Sequence, residues 1–260
     1  MSEDSIADQP AYRLLADLGK RTLRPGGAEL TAALLEALAV SAADDVVEFA
    51  PGRGQTARRT LEAGPNSYTG VELDPDAAAA LREALEGPSG VDPEIAVGNA
   101  AETDLPRGSA DVVYGEAMLT MQPDVGKRAI VEEARRLLRP GGRYGVHELA
   151  LADDVDDETA AAIRREAADL SNVFPQPLSA SEWVRLLEGE GFSVTWQATA
   201  PMALLEPRRV VADEGPLRTL KIGFNLLTNP RARSRVQSLR HLFDRYDDEV
   251  QAIALVAERD

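Results

Sequence analysis

Apolar positions along this chain switch repeatedly between two periods. Short β-rich runs stand at residues 46–49, 68–73, 94–97, 110–114, 143–149 and 192–199, and each reads as a strand. Helical spacing fills the intervals. Leu30, Leu34 and Leu38 recur every four residues beside Ala33 and Leu35, which puts them on one helix face. Helices are also predicted over 55–63 and over 75–86, where Pro75 suits a first helical turn because its missing N–H has no intrahelical partner to lose. Another carries Ile130, Ala134, Leu137 and Leu138 on one face and stops at Pro140-Gly141-Gly142. Strand and helix in alternation predict an α/β fold, a doubly wound and mostly parallel sheet of seven strands.

The ends of the chain differ from this middle. An opening helical stretch with Tyr12, Leu14, Leu15 and Leu18 breaks at Arg24-Pro25-Gly26-Gly27, so residues 1–43 read as an N-terminal helical lid. Beyond 44–149 the pattern loosens into an acidic helix over 153–171 and a helix over 179–190 with Ser179 or Ser181 as its N-cap. Residues 201–247 are too long for a tight connection and carry helical periods at Leu217, Leu220, Ile222 and Phe224, then at Val236, Leu239, Leu242 and Phe243. This helical insertion is expected to cover an acceptor site, with Phe224, Leu226 and Leu227 excluding water; a homodimer face is the other reading. The last run, 250–256, fits a seventh strand or a terminal helix equally well. All of 1–260 is taken as one domain, with 150–260 on the acceptor side.

Composition narrows the function class. The 260 residues contain no cysteine, which removes disulfides and thiolate chemistry and fits a reducing cytoplasm. The start MSEDSIADQP is acidic and polar, unlike a signal peptide, and no run approaches the roughly 20 apolar residues of a membrane span. A net charge of −16 repels phosphate backbones, so neither nucleic acid nor a membrane is the expected partner. The one basic cluster, Arg231, Arg233, Arg235 and Arg240, reads as a solvated helix face.

The segment VVEFAPGRGQTA, residues 46–57, carries the chemistry. A strand delivers Gly52-Arg53-Gly54 to the start of a helix, where glycine lets a ligand approach the backbone and unpaired helix N–H groups point at it. Gly52-x-Gly54-x-x-Ala57 also satisfies the dinucleotide fingerprint, with Glu72 at the expected distance downstream to accept hydrogen bonds from ribose hydroxyls. An NAD-dependent oxidoreductase is therefore the alternative at this point.

The ordered set EFAPGRG, GVELDP, GNAAETDLP, ADVVYGEA and EEARRLLRPGG resembles the class I S-adenosylmethionine-dependent methyltransferases, in particular their type 11 group, over residues 44–149. The later PLSASEWVRLLEGEGFSV is similar to the same group. The resemblance implies a Rossmann-like methyltransferase fold, S-adenosylmethionine as cofactor, and transfer of its methyl group to a small-molecule acceptor by in-line displacement. A non-catalytic S-adenosylmethionine-binding protein is the second alternative. Ala50 stands where the family's motif has its first glycine. Carried over by matching position, Glu48, Ala50, Gly52 and Gly54 would line the methionine and ribose side, Glu72 would hold the ribose hydroxyls and Leu73 would touch the adenine. Asn99 and Ala100 would face the adenine edge, and the backbone at Gly115 and Glu116 would receive the methionine ammonium.

Methyl transfer from a sulfonium needs alignment and exclusion of water, and a general base only when the acceptor holds a proton of high pKa. The catalytic candidates are His147, at the C-terminal end of the fifth strand, and Glu116. Glu148 follows His147, but neighbouring strand residues point to opposite faces, so no metal is expected. Tyr12, Trp183, Phe174, Met118 and Met121 are candidate pocket walls.

Overall fold

The computed structural model describes residues 9–20, 24–86, 90–202, 205 and 207–260. The N-terminal segment 1–8, weighed above as a leader, lies outside them. Strands β1 (Asp45–Phe49), β2 (Ser67–Glu72), β3 (Glu94–Val97), β4 (Ala110–Glu116), β5 (Leu138–Leu151), β7 (Phe192–Pro201) and β8 (Val250–Arg259) form one sheet in the order β3-β2-β1-β4-β5-β8-β7. These are the seven strands expected; a two-residue strand β6 (Leu178–Ser179) is added beside β5. Strands β1 to β5 pair in parallel, and β8 runs antiparallel between β5 and β7. The open choice for the last run thus resolves to a strand. Its neighbours provide the reason: buried on both faces, it alternates Ala252, Ala254 and Val256 toward one core with Ile253, Leu255 and Ala257 toward the other.

Helices cover both faces. On one, α2 (Gly27–Leu38), α3 (Gln55–Glu62) and α4 (Pro75–Leu85) bury Leu30, Leu34, Leu38, Leu61, Leu81 and Leu85. On the other, α5 (Asp124–Leu137) and α7 (Ala180–Gly189) bury Ile130, Val131, Leu137, Trp183 and Leu187. Asp74 caps α4 just before Pro75, and Ser179 with Glu182 forms a capping box on α7. Strand β5 begins at Leu138, earlier than predicted, because Leu138 pairs with Ala110 before residues 139–142 bulge out and pairing resumes at Arg143 with Val112.

A third group of helices stands over the C-terminal strand ends: α1 (Ala11–Asp17), α6 (Asp157–Ser171), α8 (Pro207–Glu214), α9 (Pro216–Thr228) and α10 (Pro230–Arg245). Helix α6 starts four residues later than read from the sequence, at the cap Asp156. Of the basic cluster, Arg235 turns inward: its guanidinium donates to the carbonyls of Leu170 (3.1 Å) and Gln9 (2.7 Å), tying α10 to α6 and to the start of α1. Helix α9 departs most from expectation. Leu226 packs with Leu14, Leu18 and Ala232, while Phe224 and Leu227 face outward with Leu217 and Leu220. Phe224, Leu226 and Leu227 therefore do not wall the site. Among the described residues, no helix is long and apolar enough to cross a membrane.

Candidate active site

The chain runs outward from β1 to β2 and β3, then returns to place β4 on the other side of β1. Reversals of this kind open a crevice at the strand ends, and two cavities lie there, of 820 and 740 Å³. They share Tyr12, Ala50 and Ala117 as walls. Ala50 follows β1 and Ala117 follows β4, and both are left-handed, with φ of 51° and 54°. Such backbone is costly for alanine and is enriched at functional sites. It turns the chain sharply out of each strand; the Ala50 N–H reaches the Val71 carbonyl (2.9 Å) and the Ala117 N–H that of His147 (2.7 Å).

The 820 Å³ cavity is the more polar of the two. Arg24, Glu48, Gly52, Arg53, Thr56 and Glu116 line it. Glu116 accepts from Arg24 (2.8 Å), Thr56 (2.5 Å) and Thr31 (2.6 Å), and faces His147 Nδ1 at 2.7 Å. Burial pushes its carboxyl up, but Arg24, His147 and Thr31 pull harder and hold it down at about 2. Glu48 has the opposite balance. Burial raises its carboxyl to about 7 against hydrogen bonds donated by Tyr68 (2.6 Å) and Tyr114 (2.7 Å), with Glu116 adding repulsion. Arg24 keeps a buried Nε with no partner.

The 740 Å³ cavity begins at Glu72, Leu73, Asn99 and Ala100 and extends past Met118 and Met121 to Leu149, α6 and α10. Leu73 is 69% exposed, a large apolar side chain open at a strand end. The Asn99 side-chain oxygen accepts from the Ala101 N–H (3.0 Å), which sets the loop after β3. Glu148 is fully buried and saturated: Met118 N–H (2.8 Å) and Leu119 N–H (2.7 Å) meet one oxygen, Thr120 N–H (3.0 Å) and hydroxyl (2.7 Å) the other. It clamps the turn after β4.

Several expected residues fall elsewhere. His147 is fully buried and lines neither cavity; Nδ1 meets Glu116 and Nε2 meets the Pro25 carbonyl at 2.6 Å. With both nitrogens engaged it positions Glu116 and the Arg24-Pro25 segment, and does not face an acceptor. Gly52 opens on the polar cavity, where an added Cβ would find nothing nearer than 3.9 Å. Gly54 does not: a Cβ there would come within 2.7 Å of Leu81, so this glycine serves the packing of α3 against α4. At Gly115 a Cβ would meet Phe49 and Met118 at 3.4 Å, which places it inside the sheet layer, and Ala117 takes the wall position instead. Tyr12, Met118 and Met121 are walls; Trp183 is core, its indole N–H on the Leu149 carbonyl (2.9 Å), and Phe174 faces outward. Arg24, Thr31, Thr56 and Tyr114 were missed. A fully buried threonine on the apolar face of α2 was the one available signal, since the Arg24–Glu116 contact spans 92 residues. Among the described residues no cluster of three or more metal-ligating side chains occurs.

Comparison with known proteins adds to this geometry. A family model described as a methyltransferase domain matches residues 46–142. An uncharacterized protein of Haemophilus influenzae is 32% identical over 252 residues, covering 96% of this chain and 97% of its own. A protein named as an O-methyltransferase from Mycolicibacterium vanbaalenii is 32% identical over 182 residues, covering 65% of this chain and 76% of its own. In fold, the chain is similar to a phosphoethanolamine N-methyltransferase of Haemonchus contortus solved with S-adenosylmethionine, with a TM-score of 0.70 at 16% identity, over 96% of this chain and 56% of the other.

Proposed function

The chain belongs to the class I S-adenosylmethionine-dependent methyltransferases, and we propose that it methylates a small organic acceptor with S-adenosylmethionine held across both cavities. One observation carries this reading: a polar and an apolar cavity meet at the two left-handed alanines of the switch point, with Glu72 on the far side. The residues fit such a cofactor. Arg24 offers an unpaired buried donor for a carboxylate, Glu48 an acid for an ammonium or a hydroxyl, and Gly52 an open approach. Glu72 would accept from both ribose hydroxyls, Leu73 would cover the adenine and the loop of Asn99 and Ala100 would face its edge. Bound there, the cofactor would supply an electrophilic methyl on a sulfonium: the acceptor–carbon bond would form as the carbon–sulfur bond broke, with its electron pair left on sulfur and any acceptor proton passed to solvent.

The protein's part is positioning and exclusion of water. Neither proton-acceptor candidate is poised as a base: His147 is engaged at both nitrogens and Glu116 is held ionised by four partners. The acceptor then attacks without a side-chain base, which the chemistry permits when its proton is weakly held or absent.

Calorimetry with adenosylhomocysteine tests the reading. Binding is expected at micromolar or tighter affinity, with none for NAD, and Glu72→Ala should weaken it more than about tenfold, since each charge-assisted bond contributes about 1.5–3 kcal/mol. Unchanged affinity in that variant would remove Glu72 from the site. A screen of metabolites for methyl incorporation separates catalysis from binding alone.

A further inference from the structure

We infer that the acceptor is an uncharged, lipophilic molecule whose apolar tail lies between the end of β5, α6 and α10. The inference rests on the methyl-transfer reading only for calling this ligand an acceptor. The outer half of the 740 Å³ cavity is walled by Leu149, Ala167, Pro175, Met202, Leu242 and Phe243. These come from β5, α6, the loop after it, the segment after β7 and α10, so a continuous apolar lobe is a property of the assembled molecule. Among the described residues, no Lys, Arg, His or Asp lines the cavity, and its carboxylates are Glu72 and Glu148. Glu72 stands at the opposite end, beside Leu73 and Asn99. Glu148 has all four acceptor positions filled by the Met118, Leu119 and Thr120 donors, so it has none left for a ligand cation.

A carboxylate or phosphate bound in this lobe would be buried without a counter-charge among its lining residues, and an ammonium would find no carboxylate with an acceptor position to spare. The polar side chains that do reach it are neutral. The Ser171 hydroxyl already donates to the Ala167 carbonyl (2.6 Å). A second small gap of 20 Å³ continues behind Leu149, Ala167, Leu242 and Phe243 toward Ile163 and Tyr246; among the described residues the one charged side chain along it is Arg164, whose guanidinium donates to the Pro177 carbonyl (3.0 Å). The lobe therefore deepens along an apolar wall, a shape that accommodates an extended hydrocarbon chain better than a compact polar metabolite.

The test is a homologous series of para-alkylphenols titrated into the 260-residue protein, with and without adenosylhomocysteine. Affinity should rise about fourfold per added methylene, the usual gain for burying one CH₂, and then level off where the lobe ends. Para-alkylbenzoates and para-alkylbenzylammonium ions of equal length should bind at least about tenfold more weakly. Ala167→Leu, which fills the lobe from α6, should bring the levelling-off to a shorter chain, and Phe243→Ala should move it to a longer one. Tighter binding of either charged series, or a plateau that neither variant moves, overturns the inference. Phenol binding that persists while adenosylhomocysteine fails to bind would instead leave the lobe standing and overturn the methyl-transfer reading.

Discussion

Two left-handed alanines define the site at the residue scale. Ala50 occupies a position where glycine would adopt φ of 51° freely, and its Cβ is the cost of the substitution. The sequence shows the missing glycine, but it does not show the dihedral angle. Ala50→Gly is expected to raise stability by about 1 kcal/mol, the left-handed penalty less the extra freedom of glycine in the unfolded chain. Denaturant unfolding at equilibrium measures it, and a loss of stability would mean that the Ala50 methyl packs in a way its place on the cavity wall does not indicate. The glycines of the same turn divide by neighbour: Gly52 faces open space and Gly54 faces Leu81 and Leu85. Spacing alone treats them alike, because a motif records which residues are small and omits what each is small for.

At the scale of elements, α1 is the piece that joins the two cavities. Ala11, Tyr12 and Leu15 line the apolar one, and Tyr12, Arg13 and Ala16 the polar one. Its other side holds Leu14 and Leu18 against α9 and α10, and Asn225 donates to the Leu18 carbonyl (2.9 Å). Adenosylhomocysteine should therefore slow amide hydrogen exchange across α1 (Ala11–Asp17), while α10 slows further only when an alkylphenol is added. Exchange in α1 that ignores adenosylhomocysteine would place the cofactor elsewhere. Both helices have an apolar face in the sequence. Which face meets a ligand and which meets another helix is decided by packing, and α9 illustrates the difference: Phe224 and Leu227, expected to shield an acceptor site or to form a homodimer face, point outward with Leu217 and Leu220 and away from both cavities.

For the whole molecule, the buried acids make stability depend on pH in two opposed ways. Glu48, raised to about 7, is accommodated while protonated; its contribution is full below the ordinary carboxylate range and is lost as pH rises through about 7. Glu116, held at about 2, contributes fully above the ordinary range and loses its contribution as pH falls toward 2. Glu48→Gln removes the first effect. Its stability relative to the parent should increase between about pH 5 and about pH 8 by roughly 3 kcal/mol. Thermal or denaturant midpoints across that range report it, and a difference independent of pH would show that Glu48 ionises as easily folded as unfolded.

How much of this was legible follows from the range of the interactions. Period and turn chemistry are local, so the alternating runs, the Asp74-Pro75 and Ser179 helix starts and the glycine turn after β1 could be read directly, and with them the α/β class. The ordered motifs brought Glu48, Ala50, Gly52, Glu72, Leu73, Asn99 and Ala100 to cavity walls, because consecutive strand ends of a parallel sheet share one edge. The sequence by itself therefore determined the family and the edge at which the chemistry lies. Only the tertiary structure decided that His147 is sealed by Pro25 and Glu116, that Arg24 crosses to Glu116, and that the cavity between the end of β5, α6 and α10 is apolar. Each of these joins residues far apart in the chain, where burial and partner are set by how layers stack, and stacking leaves no period in the residues it brings together.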